Sequence, residues 1–306
     1  MSAGATQRGA ALVIAMLLAA LAAAVAVSVA SGQQRWLASV SHRAEQVQAQ
    51  SLALAGVQWA RQVLFDDAGR NAVDYLDEPW ALPLPPTPIE NGFIEGSIVD
   101  AQGLLNINDL GHDSAGSAPA RARFERLVDK LGIARATLDA IADWIDVDDA
   151  TRPNGAEDAW YTAQEVPGVS ANADLVRVAE LAAIRGITPA MVNALRPYVT
   201  ALPPETPLNV NTAPPVVLAA SMAGVDDAAL ATLIATRKDR PFSSVADFRN
   251  RLPPSVILGN ESGYAVSSAY FLVSVHAQQG DTQARARALL KRGQGSWPVV
   301  VWQVVE

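Results

Sequence analysis

Asp143-Trp-Ile-Asp146-Val-Asp148-Asp149, followed by Gly155-Ala-Glu157-Asp158, is the stretch whose residue types and spacing bear most directly on chemistry. From Asp139 to Glu165 there are eight acidic side chains and one basic one, Arg152. Carboxylates this close repel one another, and the Trp-Ile flank makes them harder to solvate. A hard cation relieves both problems, and calcium takes about six to eight oxygen ligands at ~2.3–2.6 Å. Asp143, Asp146, Asp148, Asp149, Glu157 and Asp158 are therefore candidate calcium ligands. Asp146, Asp148 and Glu157 fall at the first, third and twelfth positions of a calcium loop. Ala150 and Thr151 stand where its fifth-position ligand and turn glycine belong, so this is no EF-hand and any site is irregular. The plain alternative is a solvated acidic loop. Paired carboxylates also serve as acid and base in glycosidases, but nothing in the sequence suggests a sugar cleft.

Other chemistries are excluded or weakly supported. No Gly-x-Ser-x-Gly elbow, phosphate loop, dinucleotide fingerprint or zinc helix occurs. The chain lacks cysteine, which removes thiol nucleophiles, disulfides and thiolate metal sites. His42, His112 and His276 are far apart in sequence, against a histidine-rich zinc centre. Gly111-His-Asp-Ser114 holds triad residue types, but a polar loop explains it better. A net charge of −8 and a pI near 5.0 disfavour nucleic acid as a main partner.

The elements that would position these residues are legible from pattern. With 306 residues, 50% of them hydrophobic, the chain can bury a sizeable core. Ala10 to Phe65 reads as one helix, apolar below and amphipathic above Arg35, with Val40, Val47 and Leu54 recurring every seven residues and Trp36, Ala44, Val57 and Leu64 on the same face. Asp66-Asp67-Ala-Gly69 ends it, and the proline-rich stretch to Asn91 reads as a loop. Phe93 to Asp100 reads as a strand. Helices are expected over Arg121–Leu131, Thr137–Ile145, Ala173–Ile184 and Pro189–Val199. Tyr264–Ala277, Gln283–Lys291 and Pro298–Val305 read as strands. A helical block thus interrupts a sheet that would cover the upper helix.

Within that block, the segments starting at Gly186 and Gly224 echo each other: a glycine, then a capping Thr188 or Asp226, then Leu195 or Leu233 nine residues after the glycine. This is the helix-hairpin-helix pattern, present twice. Together with Leu208-Asn-Val-Asn-Thr-Ala-Pro214 it resembles the membrane-anchored DNA receptors of competence systems, which supplies the alternative function. Asp226 and Asp227 lie where a phosphate would sit, and Val178–Arg251 carries seven basic and six acidic side chains. A packing role fits better than DNA binding.

The opening stretch supports three readings. Arg8 followed by an apolar run from Ala10 to Ala30 fits a cleaved signal peptide, an uncleaved anchor, or a prepilin leader cut between Gly9 and Ala10. Most pilin-like subunits carry Glu at the fifth mature position, which is Ile14 here. Taken with Asp100-Ala-Gln-Gly103-Leu-Leu-Asn106-Ile-Asn108, the acidic loop and Pro207–Pro214, the chain resembles the general secretion pathway protein K family, the large minor pseudopilins of type II secretion. The resemblance implies an α+β, pilin-like fold, with a long N-terminal α-helix packed on an antiparallel β-sheet and a large inserted α-helical domain holding two helix-hairpin-helix-like units. It divides the chain into a leader (1–9), a transmembrane half-helix (10–31), the first part of the head (32–112), the insertion (113–252) and the closing strands (253–306). It further implies processing by the prepilin peptidase, with methylation, and bound calcium. The implied partners are the minor pseudopilins I and J in a tip complex, with H and the major pseudopilin G below. The implied location is single-pass in the bacterial inner membrane with a periplasmic head, and the missing Glu at Ile14 marks a top position.

Overall fold

The computed structural model describes residues 5–112, 117–258, 260–293 and 295–306; part of the leader (1–4) and Asp113 and Ser114 of the polar loop lie outside them. Helix α1 runs unbroken from Ala5 to Ala68, 64 residues, or about 96 Å at ~1.5 Å per residue. No proline interrupts it, and the candidate cleavage pair Gly9-Ala10 lies within it. Its lower part has mean hydropathy 2.8 over the most apolar 18-residue window and none of that window is buried. By length and composition this helix can cross a bilayer.

The upper part of α1 packs on a five-stranded antiparallel sheet. In chain order its first strands are β1 (Leu84–Ile89) and β2 (Gly92–Asp100). The chain then leaves the sheet through the two-residue strand β3 (Leu105–Asn106) and the helices α2 (Ser117–Leu131), α3 (Thr137–Ile145), α4 (Asp158–Thr162) and α5 (Pro189–Leu195). Next come the short strands β4 (Val199–Thr200) and β5 (Leu208–Asn209), helices α6 (Pro215–Ser221), α7 (Asp227–Asp239) and α8 (Val245–Asn250), and the short strand β6 (Tyr264–Ala265). The sheet is completed by β7 (Tyr270–Gln279), β8 (Thr282–Gly293) and β9 (Ser296–Val305), in the order β1-β2-β7-β8-β9.

Several expectations are corrected. The proline-rich stretch is not all loop: Leu84–Ile89 is an edge strand, where Pro85, Pro86 and Pro88 are tolerated because only one side of the strand is paired. The helix expected over Ala173–Ile184 shrinks to a 3-10 segment, Val178–Ala183, and α5 ends at Leu195 so that Val199–Thr200 can pair in parallel with Leu105–Asn106. The alternating run from Tyr264 is two strands: Tyr264–Ala265 pairs in parallel with Leu208–Asn209, and the sheet strand starts at Tyr270.

The packed face of α1 matches the expected one at Val57 and Leu64 but departs from it lower down. Val40 and Val47 are 45% and 63% exposed, and Trp36 is 64% exposed. The buried stripe joins Val57 and Leu64 to Ala49, Ala53, Gly56 and Ala60, against alanines 284, 286 and 288 of β8 and Val273 and Val275 of β7. Small residues on both sides let the helix backbone lie close to the sheet. At Gly56 even a Cβ would come within 2.6 Å of Val275 Cγ1.

The helical body has its own core, built on Phe124, Leu127, Leu138, Ile141, Val217 and Phe248, and it draws in Leu105, Ile107 and Leu110 before α2 and Tyr264 after α8. Polar side chains bind this body to the sheet. The buried carboxylate of Asp100, at the end of β2, accepts hydrogen bonds at Oδ2 from Thr212 Oγ1 (2.6 Å), Ser268 Oγ (2.6 Å) and Asn209 Nδ2 (3.0 Å), and at Oδ1 from the Gln102 N–H. Gln102 bridges in turn, donating to the Pro207 carbonyl and accepting from the Ala269 N–H. Asn108 clasps Leu175 and Leu202, and Asn211 clasps Phe242 through both its amide atoms. Burial, opposed by the Ser268 and Thr212 hydrogen bonds, pushes the Asp100 carboxyl up to about 6. A raised carboxyl pKa means that the folded state holds this proton more tightly, so this group's contribution to stability falls as pH rises from about 4 to about 6.

Two substitutions test these contacts. Gly56→Val overpacks the helix–sheet seam and costs about 1–3 kcal/mol, lowering the thermal midpoint, whereas Val47→Thr stays within about 0.5 kcal/mol; equal effects would restore the heptad face. Asp100→Ala leaves Asn209, Thr212 and Ser268 without their acceptor and costs about 2–4 kcal/mol, with earlier proteolysis between β2 and β7 as its signature.

Candidate functional site

Helix α3 delivers the acidic cluster. Its last turns place Asp143 and Asp146 beside the buried Ile141 and Ile145, and both carboxylates are themselves buried, Asp143 completely. Glu157, at the start of α4, is buried with them. Burial first, then the charges of Asp143 and Asp146, push the Glu157 carboxyl up to about 7. The Arg152 guanidinium supplies the compensating charge: its Nη1 donates to Asp143 Oδ1 at 2.7 Å and to Asp146 Oδ2, while its backbone N–H donates to Asp143 Oδ2. Gly155 is required by this packing, because a Cβ there would lie 1.8 Å from Asp143 Oδ2.

The six candidate ligands therefore separate into groups. Asp143 and Asp146 are joined through Arg152, and they and Glu157 are buried; among the described residues only Asp67, Asp74 and Glu78 place ligand atoms within 4.8 Å of one another. Asp148 and Asp149 are exposed, with Asp148 accepting from the Ala150 N–H of its own turn. Asp158 is engaged elsewhere, accepting from the backbone and hydroxyl of Ser170 at 2.7 and 2.6 Å. The bare spacing could not reveal this division: a loop satisfies some of its acids locally and turns others inward.

Asp146 Oδ1 and Glu157 Oε1 are buried without a hydrogen-bond partner, as is the side-chain oxygen of Asn172. Unpartnered oxygens on two buried carboxylates, Asp146 and Glu157, suit a hard cation chemically. Asn172 was invisible in the sequence because it lies 15 residues beyond Glu157 and reaches the loop through its backbone bond to the Trp144 carbonyl. Aromatic edges close the region, with Trp144 and Trp160 packed against Tyr161 and Arg185 lying over Trp160.

A second acidic group, Asp67, Asp74 and Glu78, also escaped the sequence reading and has ligand atoms within 4.8 Å of one another. It is an ion-pair network: Arg292 donates to Asp67 at 2.7 Å and to Asp74 at 2.5 Å, and Glu78 accepts from Asn71, the Tyr75 N–H and Trp80 Nε1. Burial, with Glu78 nearby, pushes the Asp67 carboxyl up to about 6 despite the arginine. The group ties the end of α1 to β8.

In the two echoing segments, Gly186 and Gly224 have φ of +74° and +77°, and Thr188 and Asp226 each accept from the N–H three residues on. The first segment is preceded by 3-10 turns and not by an α-helix. His112, next to Gly111, whose backbone packs on Ile145 and Asp146, pairs with Asp174, and His276 pairs with Glu95.

Family models described as "Type II secretion system (T2SS), protein K" match residues 103–204 and 208–267, the helical body between β2 and β7. The chain belongs to the type II secretion system protein K family. It is 32% identical to type II secretion system protein K of Pseudomonas aeruginosa, over 94% of this chain and 89% of that one, and 30% identical to that of Klebsiella pneumoniae, over 96% and 95%. Among solved structures it is similar to the GspK-GspI-GspJ complex of the enterotoxigenic Escherichia coli type 2 secretion system, with a TM-score of 0.73, 22% identity, and coverage of 87% of this chain and 99% of that chain. At that identity the likeness bears on fold, and it matches the long helix packed on an antiparallel sheet.

Proposed function

We propose that this chain is a minor pseudopilin, a non-enzymatic subunit at the tip of the type II secretion pseudopilus that initiates or caps its assembly for protein export across the outer membrane. The observation that carries this reading is a single helix whose lower part is apolar and uncovered while its upper part is clamped to a sheet. Such a stem is stable in a bilayer, and it is stable outside one only when like stems cover it. Residues 1–9 are the leader, 10–31 the transmembrane half-helix, 32–112 and 253–306 the head, and 113–252 the insertion, with its two hairpin-like units as packing elements. The prepilin peptidase cuts between Gly9 and Ala10. Ile14 stands where other subunits carry Glu, which fits a subunit with no neighbour above it. The solved relative is titled as a complex with GspI and GspJ, which supports minor pseudopilins I and J as partners; H and the major pseudopilin G lie below. The chain spans the inner membrane once, and its head is periplasmic.

Calcium is part of the proposal. Asp143, Asp146 and Glu157 would hold it, with Asn172 contributing its unpartnered oxygen and the exposed Asp148 and Asp149 adding negative charge nearby. When bound, the ion would neutralise carboxylates that Arg152 alone balances only in part. Its role is to stiffen the α3–α4 loop.

Co-expression with a prepilin peptidase should give a mature chain beginning at Ala10 by mass spectrometry; an intact leader, or a cut near Ser31, counts against the reading. Calcium should raise the thermal midpoint of the full chain and EGTA should reverse the rise, since an ion at about 100 times its Kd adds ~2.7 kcal/mol. Asp146→Ala and Glu157→Ala should each abolish the rise; no calcium-dependent shift in the unaltered chain removes the metal site.

A further inference from the structure

The sheet face opposite α1 is only partly covered by the helical body, and the angle between them is a cleft of about 400 Å³. That volume is within the range of ~300–1,000 Å³ typical of ligand sites. Strand register explains its floor. Val99, Leu272, Leu289 and Trp302 are cross-strand neighbours on β2, β7, β8 and β9 and form one apolar row. The next row holds Ser274, Arg287 and Val304. The wall comes from the helical body, where Val176, Arg177, Val178, Arg196 and Pro197 face the sheet across the cleft.

Charge decides what fits there. Three arginines, 177, 196 and 287, line the cleft and no carboxylate does, in a chain whose net charge is −8. Arg196 has no ion-pair partner among the described residues; Arg177 and Arg287 have only long contacts, at 3.6 Å to Glu180 and 3.5 Å to Glu306. The indole Nε1–H of Trp302 is buried without an acceptor. An apolar floor with three arginines at its rim, one unpaired and two held only by long contacts, and an unpaired donor beside it is complementary to a peptide that carries both apolar side chains and carboxylates. Four strands at ~4.8 Å spacing make the apolar row roughly 14 Å long, the span of about four extended residues. A wider groove that shares Arg196, Ser274 and Arg287 with the cleft is lined by Pro83, Pro85 and Pro86 together with Glu95 and Glu306, so the acidic segment is confined to the cleft.

We propose that this cleft docks a short, extended, acidic segment of a partner polypeptide, with apolar side chains on the Leu272–Leu289–Trp302 floor and carboxylates against Arg177, Arg196 and Arg287. The site is independent of leader cleavage and of calcium, so it stands or falls separately from them.

The absence of native cysteine allows a single reporter. Ser274 is exposed on the floor, and Ser274→Cys can carry an environment-sensitive fluorophore in the full chain held in phosphatidylcholine nanodiscs. The probes are two capped hexapeptides, one alternating aspartate and leucine, the other lysine and leucine. The acidic peptide should give a saturable signal that weakens with salt, and the basic one should not. Arg196→Glu combined with Arg287→Glu should weaken binding at least about tenfold, or ~1.4 kcal/mol, while Arg43→Glu on the exposed side of α1 leaves it unchanged. Both rim arginines are surface residues, and unchanged thermal melting will confirm that the double variant folds. Val176→Asp, a second exposed change, should also weaken the acidic peptide. Equal binding of the two peptides, no saturable binding, or indifference to charge reversal would each overturn the proposal.

Discussion

A buried carboxylate at the end of a strand is costly unless donors converge on it, and the position of the whole helical body depends on how Asp100 meets that demand. Its donors come from Asn209 in β5, Thr212 just after it and Ser268 before β7, so one anion joins the exit from the sheet, the middle of the helical body and the return to the sheet. Asn209 also donates to the carbonyl of Asp74, and Asp74 is held by Arg292 and by the Ser268 N–H. The junction therefore extends from Asp100 to the end of α1. Two apolar cores packed side by side would slide on each other, because hydrophobic contact is non-directional. Hydrogen bonds to a buried anion have direction, and here they set the angle that leaves the arginine-lined cleft open.

The acidic loop solves a related problem with less local compensation. Asp143 and Asp146 share the Arg152 guanidinium, yet Asp146, Glu157 and Asn172 each retain a buried oxygen without a donor. Folding brings these groups together because α3 buries its apolar face and the carboxylates at its end follow. Gly155 allows the chain to pass against Asp143 where any side chain would collide. The arrangement packs tightly and leaves acceptors unmatched.

Helix α1 separates two kinds of apolar surface. Its alanine-rich stripe is consumed by the sheet, while the larger residues Trp36, Val40 and Val47 continue the exposed apolar surface of the lower helix upward. Bulky residues keep helices apart and small ones allow backbones to approach, so the stripe that meets the chain's own sheet is the small one.

Much was legible without the fold. The length and hydropathy of α1, the strand at Phe93–Asp100, the three closing strands and the helical interruption follow from periodicities that a chain carries locally. So do the glycine turns at Gly186 and Gly224 and the density of acids after Asp139. Val57 and Leu64 of the buried stripe on α1 were legible, but its alanines and Gly56 were not, because larger residues give the stronger apolar signal and only the sheet reveals which face is covered. Nor was it legible that Asn106, Asn108, Asn209 and Asn211 act as clasps, since their partners lie between 31 and 135 residues away in sequence. Tertiary structure also decided that Asp143, Asp146 and Glu157 are buried while Asp148 and Asp149 are exposed and Asp158 is engaged by Ser170. Sequence records which groups are available and their local period; burial and distance, which determine whether a carboxylate is solvated, paired or left for an ion, arise only when distant segments meet.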